Sequence, residues 1–225
     1  GKYRLILKTD AETLSLCSLS YERLGDADEK PVAELSYDMK LWASFNDWSG
    51  QDMQRNGDDL IWWCEADVPA GGGEFGIKNA AMDGWYSSEN NSKNIVLEEG
   101  HYMFFIELEV VDGKPVLKDE IIAEEPAYYV VGTCGNAGWA ADANAENTAY
   151  KMTEQDSKYV LTVTFTEDET VDWAENKVAF KVAYGCGGKV ANENWFGAEG
   201  MDNVTVDPGT YTITFDPATG AVTVE

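Results

Sequence analysis

The stretch "GTYTITFDPATGAVTV", residues 209–224, reads as a β-hairpin: an alternating run, a turn built on Pro217 and Gly220, and a second alternating run. Strand patterning recurs upstream. In "YVLTVTF" (159–165), Tyr159, Leu161, Val163 and Phe165 point one way, and Val160, Thr162 and Thr164 the other. "LIWWCEADV" (60–68) sends Leu60, Trp62 and Cys64 to one face and Ile61, Trp63, Glu65 and Asp67 to the opposite one. No long segment carries a clean 3.6-residue period, so the reading is all-β.

The opening hairpin also repeats. "GKYRLILKTDAETLSL" (1–16) lines up with it: Gly-x-Tyr, a strand, an Asp-Ala-x-Thr turn and a second strand. Longer echoes join the halves of the chain. "LWASFNDWSGQDM" (41–53) matches "VVGTCGNAGWAAD" (130–142). "EFGIKNAAMDGWYSS" (74–88) matches "AFKVAYGCGGKVANENWFG" (179–197), and "NSKNIVLEEGHYMFFIEL" (91–108) matches "GMDNVTVDPGTYTITF" (200–215). The expectation is two tandem Ig-like antiparallel β-sandwich modules. They span residues 1–122, including an N-terminal hairpin at 1–20, and residues 123–225, with the boundary at "IIAEEPA" (121–127).

Composition excludes several function classes. Sixteen basic residues against 41 acidic ones give a net charge of −25, a field that repels nucleic acid and anionic membranes. No apolar run approaches the ~20 residues that span a bilayer, so a soluble chain without membrane insertion is expected. The carboxylates are scattered through turns and lack calcium-loop spacing. Cys17, Cys64, Cys134 and Cys186 form no CxxC and have one histidine, His101, for company, which argues against a zinc site. Two states remain open for them: four free thiols, or a disulfide, for which Cys134 with Cys186 is the favoured pair. His101 has no Ser or Cys motif beside it and reads as a strand-edge residue. No metal, no cofactor and no catalytic activity are expected.

The aromatics point to binding. Trp42 and Trp62 fall on apolar faces and read as packing, and Trp173, in "VDWAEN", as a residue that pins its loop. Trp48, Trp85, Trp139 and Trp195 lie instead in loops rich in Gly, Asn, Asp or Ser, at matching places in the two copies. Repeated exposed aromatics mark binding surfaces. Indole faces stack on the C–H faces of sugar rings, and Lys181, Asn203, Lys78 and Asn94 stand nearby in sequence to bond hydroxyls. An uncharged glycan tolerates a surface of −25.

These residues resemble the β-sandwich starch-binding modules of gut-bacterial starch-utilisation lipoproteins, pullulanase-associated modules and amylosome starch adherence proteins. The resemblance is carried by "YYVVG…GW", "FKV…YG", "NW" and "GMDNVTV…GTYTITFD" within residues 128–225. It implies a non-catalytic sandwich that binds starch or α-1,4-glucan oligosaccharides outside the cell or on its surface. It further implies amylases or a cell-surface assembly as partners of other parts of the full-length protein. Residue by residue, it implies Trp139 and Trp195 as angled platforms, with Lys181 and Asn203 bonding glucose hydroxyls. In the first copy it gives Trp48, Trp85 and Asn94. There the basic position departs, because strict alignment sets Gly76 opposite Lys181 and Lys78 lies two residues on, on the same strand face. Trp63, outward-facing beside Glu65, is open to two readings, an extra platform or edge-strand packing, and Tyr86 and Phe196 are expected to anchor their loops. The rival readings are a structural or adhesive sandwich with a protein partner, and a module for another glycan such as β-glucan.

Overall fold

The computed structural model describes residues 3–9, 16–23, 38–57, 59–79, 84–88, 93–112, 114–135, 139, 148–199 and 202–225. Strands dominate them, in antiparallel sheets that pack as sandwich-like layers. The chain divides into two compact units, residues 1–36 with 109–116, and residues 37–108 with 117–225.

The smaller unit holds an antiparallel pair, β1 (Tyr3–Thr9) and β2 (Leu16–Arg23), with Leu5 opposite Tyr21 and Leu7 opposite Leu19. A strand pair thus lies where a hairpin over residues 1–20 was expected, with its second strand running on to Arg23. Its Asp-Ala-x-Thr turn, residues 10–13, lies outside the described residues.

The remaining strands form two sandwiches of matching topology. In the first, one sheet runs β4 (Gln51–Asp52), β3 (Met39–Ala43), β7 (Gly73–Asn79), β8 (Gly84–Tyr86), with β9 (Ile95–Leu97) also on β7. The facing sheet runs β5 (Gln54–Arg55), β6 (Ile61–Val68), β10 (Gly100–Val111), β11 (Lys114–Leu117), with β12 (Ile122–Glu124) also on β10. Phe75 of β7 meets Phe104 of β10 edge to face at 5.0 Å, joining the two layers.

In the second sandwich, β13 (Ala127–Gly132), β16 (Val178–Cys186) and β17 (Lys189–Phe196) form one sheet, with β18 (Val204–Val206) also on β16. The other runs β14 (Thr153–Gln155), β15 (Lys158–Phe165), β19 (Gly209–Asp216), β20 (Ala221–Val224). Val130, Val178, Phe180 and Val182 interleave with Phe165, Ile213 and Phe215 in one buried core. Each fully buried Phe stabilises it by about 1.5–3 kcal/mol. The polar rows expected on β15 face outward, where Thr164 and Thr210 share a cross-strand hydrogen bond of 2.8 Å. The β19–β20 turn closes as its sequence predicts, with the Gly220 amide donating to the Asp216 carbonyl at 2.8 Å.

The sandwiches also share a core. Trp63, Met103 and Phe105, on the far side of β6 and β10, are buried against Cys186 and Ala191 of the β16–β17 hairpin. Buried Asn56 locks that contact: its Oδ1 accepts from the Asn192 amide at 2.7 Å, and its Nδ2 faces the Val190 carbonyl at 3.4 Å. Glu107 takes Lys118 at 2.5 Å and also pairs with Lys189. Burial opposes ionisation of Glu107, but these two ammonium groups outweigh it and hold the carboxyl below its ordinary range.

This arrangement decides two readings that the sequence left open. Trp63 points away from the first core, yet the second sandwich covers it to 7% exposure, so it offers no platform. Cys134 and Cys186 are free thiols that belong to separate buried clusters, so the favoured disulfide does not form. Burial pushes the Cys64, Cys134 and Cys186 thiols up to about 12. The Cys17 side chain lies outside the described residues. Among the described residues, no three His, Cys, Asp or Glu side chains gather as a metal site. No helix there is long and apolar enough to cross a membrane.

Candidate functional site

Strand alternation puts Lys181 on the outward face of β16, because its neighbours Phe180 and Val182 are fully buried in the core. Trp195 stands opposite Ala183, on the same outward face, and packs on a small cluster of Tyr129, Val131, Ala183 and Val190. The adjacent Phe196 turns inward, with its ring 4.5 Å from that of Phe215. Adjacent aromatics in one strand thus divide their tasks, one packed inward and one presented outward. The anchor role expected for Phe196 agrees with this, and so does that of Tyr86, which is buried in the first copy.

Between β17 and β18 the chain folds back sharply. The Ala198 amide donates to the Asp202 carbonyl at 2.8 Å. Gly197 is required there: a Cβ at 197 would collide with the Asp202 carbonyl, and it would sit 3.5 Å from Cγ of Lys181. The fold-back ends at Asn203, which immediately precedes the Val204 that pairs with Phe180. Asn203 is therefore carried to the strand position beside Lys181. Gly200, also read as part of this turn, lies outside the described residues.

Trp139, Lys181, Trp195 and Asn203, the four second-copy residues singled out from sequence, line one cleft of about 500 Å³. Trp173 lines it too. Its indole lies 6.4 Å from that of Trp139, with the planes 39° apart. Sequence reasoning assigned Trp173 to pinning a loop, but the residue is 62% exposed. The loop is pinned by its own backbone. Val171 and Lys177 form a bridge, the Asn176 amide donates to the Val171 carbonyl at 3.1 Å, and Glu175 and Asn176 both adopt left-handed backbone. The Trp173 indole is therefore not what holds its turn together. The loop's sequence, with Val171 and Ala174 beside Asp172, Glu175 and Asn176, carries no signal that separates an exposed Trp173 from a packed one.

The first copy matches this register closely. Trp42 pairs with Gly76, Lys78 with Trp85, and Phe75 with Ile95. In the second copy Val131 pairs with Lys181, Ala183 with Trp195, and Phe180 with Val204. Gly76 thus stands where Lys181 does, Lys78 where Ala183 does, and Asn94 where Asn203 does. Lys78 and Trp85 are direct neighbours on the outer face, and the Lys78 ammonium sits 5.7 Å above the Trp42 ring. The Trp85 indole lies across Gly76, so that any Cβ at 76 would overlap its six-membered ring. Trp48 is half-buried in a left-handed turn, its amide donating to the Ala43 carbonyl at 2.9 Å. Trp42, read as packing, is half-buried on the same outer face as Lys78.

The cleft has a mixed chemistry. Three indoles supply apolar faces, Lys181 three N–H donors, and Asn203 both a donor and an acceptor. It can hold a ligand with flat C–H faces and hydroxyls at its edge. No protein-family model matches the chain, and no curated protein does. Among solved structures, the chain is similar to SusF from Bacteroides thetaiotaomicron, with 14% identity and a TM-score of 0.37. That match covers 84% of this chain and 47% of the other, so the chain spans about half of that structure's length.

Proposed function

We propose that the chain is a non-catalytic carbohydrate-binding protein that takes starch or other α-1,4-glucan chains in the second-copy cleft. The observation that carries the reading is the convergence of Trp139, Trp173 and Trp195 with Lys181 and Asn203 on one cleft of about 500 Å³. Pyranose rings stack their C–H faces on the indoles, and their hydroxyls accept from Lys181 and exchange hydrogen bonds with the Asn203 amide. The tilt between Trp139 and Trp173 suits a chain that bends from one residue to the next, as α-1,4-glucans do, better than a flat ribbon. A neutral polymer also meets no repulsion from a surface of −25. On this reading the chain works outside the cell or at its surface, as part of a larger starch-handling assembly.

Retention on insoluble starch tests the proposal. The parent chain is retained on granules, and Trp139→Ala and Trp195→Ala pass into the supernatant. Equal retention of parent and variants would remove these residues from the site, and no retention of the parent would end the starch reading.

A further inference from the structure

The two copies place a lysine, a small residue and an indole in the same two strands, but the lysine and the small residue have changed places. In the second copy Lys181 is followed two residues later by Ala183, against which Trp195 packs. In the first copy the order is Gly76 and then Lys78, and Trp85 lies over Gly76. The indole follows the small residue in both. Two residues along a strand amount to about 7 Å, roughly the length of one sugar unit or more.

The consequence falls on the polar half of the site. In the second copy the strand position beside Asn203 carries Lys181, so ammonium and amide open on one cleft. In the first copy the position beside Asn94 is Gly76, and the Trp85 ring fills the volume above it. The displaced Lys78 ammonium is directed over the Trp42 ring. The first copy therefore keeps indoles and loses the adjoining ammonium–amide pair.

We infer that this exchange makes the chain functionally asymmetric: a soluble α-glucan oligosaccharide binds once per chain, in the second-copy cleft, and Gly76 with Trp85 withholds the equivalent site in the first copy. The inference rests on the α-glucan reading above and adds a stoichiometry and a pair of specificity-determining positions to it. A polar ligand gains much of its discrimination from paired hydrogen-bonding groups, and losing one partner leaves hydroxyls unmatched.

Isothermal titration of the whole chain with maltoheptaose tests it. The expected stoichiometry is one sugar per chain, and Trp195→Ala abolishes the measurable heat. Lys181→Gln, a change at a half-exposed position that leaves the core untouched, gives a second reading: it weakens binding at least tenfold and reveals no residual site. Two sugars per chain, or one site persisting in Trp195→Ala, would overturn the asymmetry while upholding α-glucan binding. An absence of heat with the parent would overturn both readings.

Discussion

The Trp173 indole, 62% exposed, lies 6.4 Å from the Trp139 indole across planes inclined by 39°. The two indoles are thus presented at an angle to one another on one cleft. Trp173→Ala is expected to weaken maltoheptaose binding by about 2 kcal/mol, roughly 30-fold, because a stacking aromatic is removed from the cleft. Its folding stability stays within about 0.5 kcal/mol of the parent, since the side chain packs on little. Parallel titration calorimetry and urea unfolding separate these effects. A stability loss with unchanged binding would restore the loop-pinning role.

Lys181 and Asn203 supply the polar edge. Removing the Lys181 ammonium, on the proposal a charged donor to sugar hydroxyls, is expected to cost about 1.5–3 kcal/mol of binding. Asn203→Ala loses a neutral bond or two, about 1 kcal/mol. Because Lys181 is half-exposed and its stem rests beside Gly197, both effects should appear in the dissociation constant and leave unfolding midpoints unchanged.

Trp63 sits in the core shared by the sandwiches, with Met103, Phe105, Cys186 and Ala191. Trp63→Ala leaves a large cavity there and should destabilise the chain by about 3–5 kcal/mol. In the parent, sheets joined through this core unfold in one cooperative step, and in the variant the transition broadens or splits. Chemical unfolding followed by far-UV circular dichroism shows either pattern.

His101 gives the chain a pH signature. Its Nδ1 lies 2.7 Å from Asp67 Oδ1 and its Nε2 3.0 Å from Glu65 Oε2, so the protonated ring donates to two carboxylates across β6 and β10. The Asp67 bond, helped by Glu65 and opposed by partial burial, raises the imidazole pKa above its ordinary 6.5. A raised folded-state pKa stabilises when protonated: the contribution is complete below 6.5 and fades as pH climbs through the raised value. Glu107 behaves oppositely, contributing above its ordinary 4.5 and losing its effect as pH falls through a lower value. Thermal unfolding between about pH 6 and about pH 9 should therefore fall more steeply for the parent than for His101→Gln. Parallel profiles for the two proteins would remove His101 from the balance.

The strands were legible because alternation and turn residues act locally, as the β15 faces and the β19–β20 turn illustrate. The second-copy cleft was legible as far as four of its lining residues, since Trp139, Trp195, Lys181 and Asn203 stand out against polar loops. Trp173 escaped because a single Trp among acids looks alike whether it plugs a gap or faces a ligand. Only the tertiary approach of its loop to Trp139 separates the two. Trp63 failed for the converse reason: alternation names the face a side chain occupies and not what covers that face. The unbroken apolar run from Tyr102 to Ile106 was the clue, since a strand buried on both sides loses its alternation. In the first copy, the place of Gly76 opposite Lys181 could be read from alignment. The filling of its space by Trp85 could not, because it depends on the rotamer of a residue on the neighbouring strand.

Affinity electrophoresis in gels cast with amylopectin, mixed-linkage β-glucan or xylan tests the central claim most directly. The account predicts that amylopectin alone retards the parent chain, and that Trp139→Ala, Trp173→Ala and Trp195→Ala migrate there as they do without polysaccharide. Parent mobility unaffected by amylopectin, or variants retarded as strongly as the parent, would contradict it.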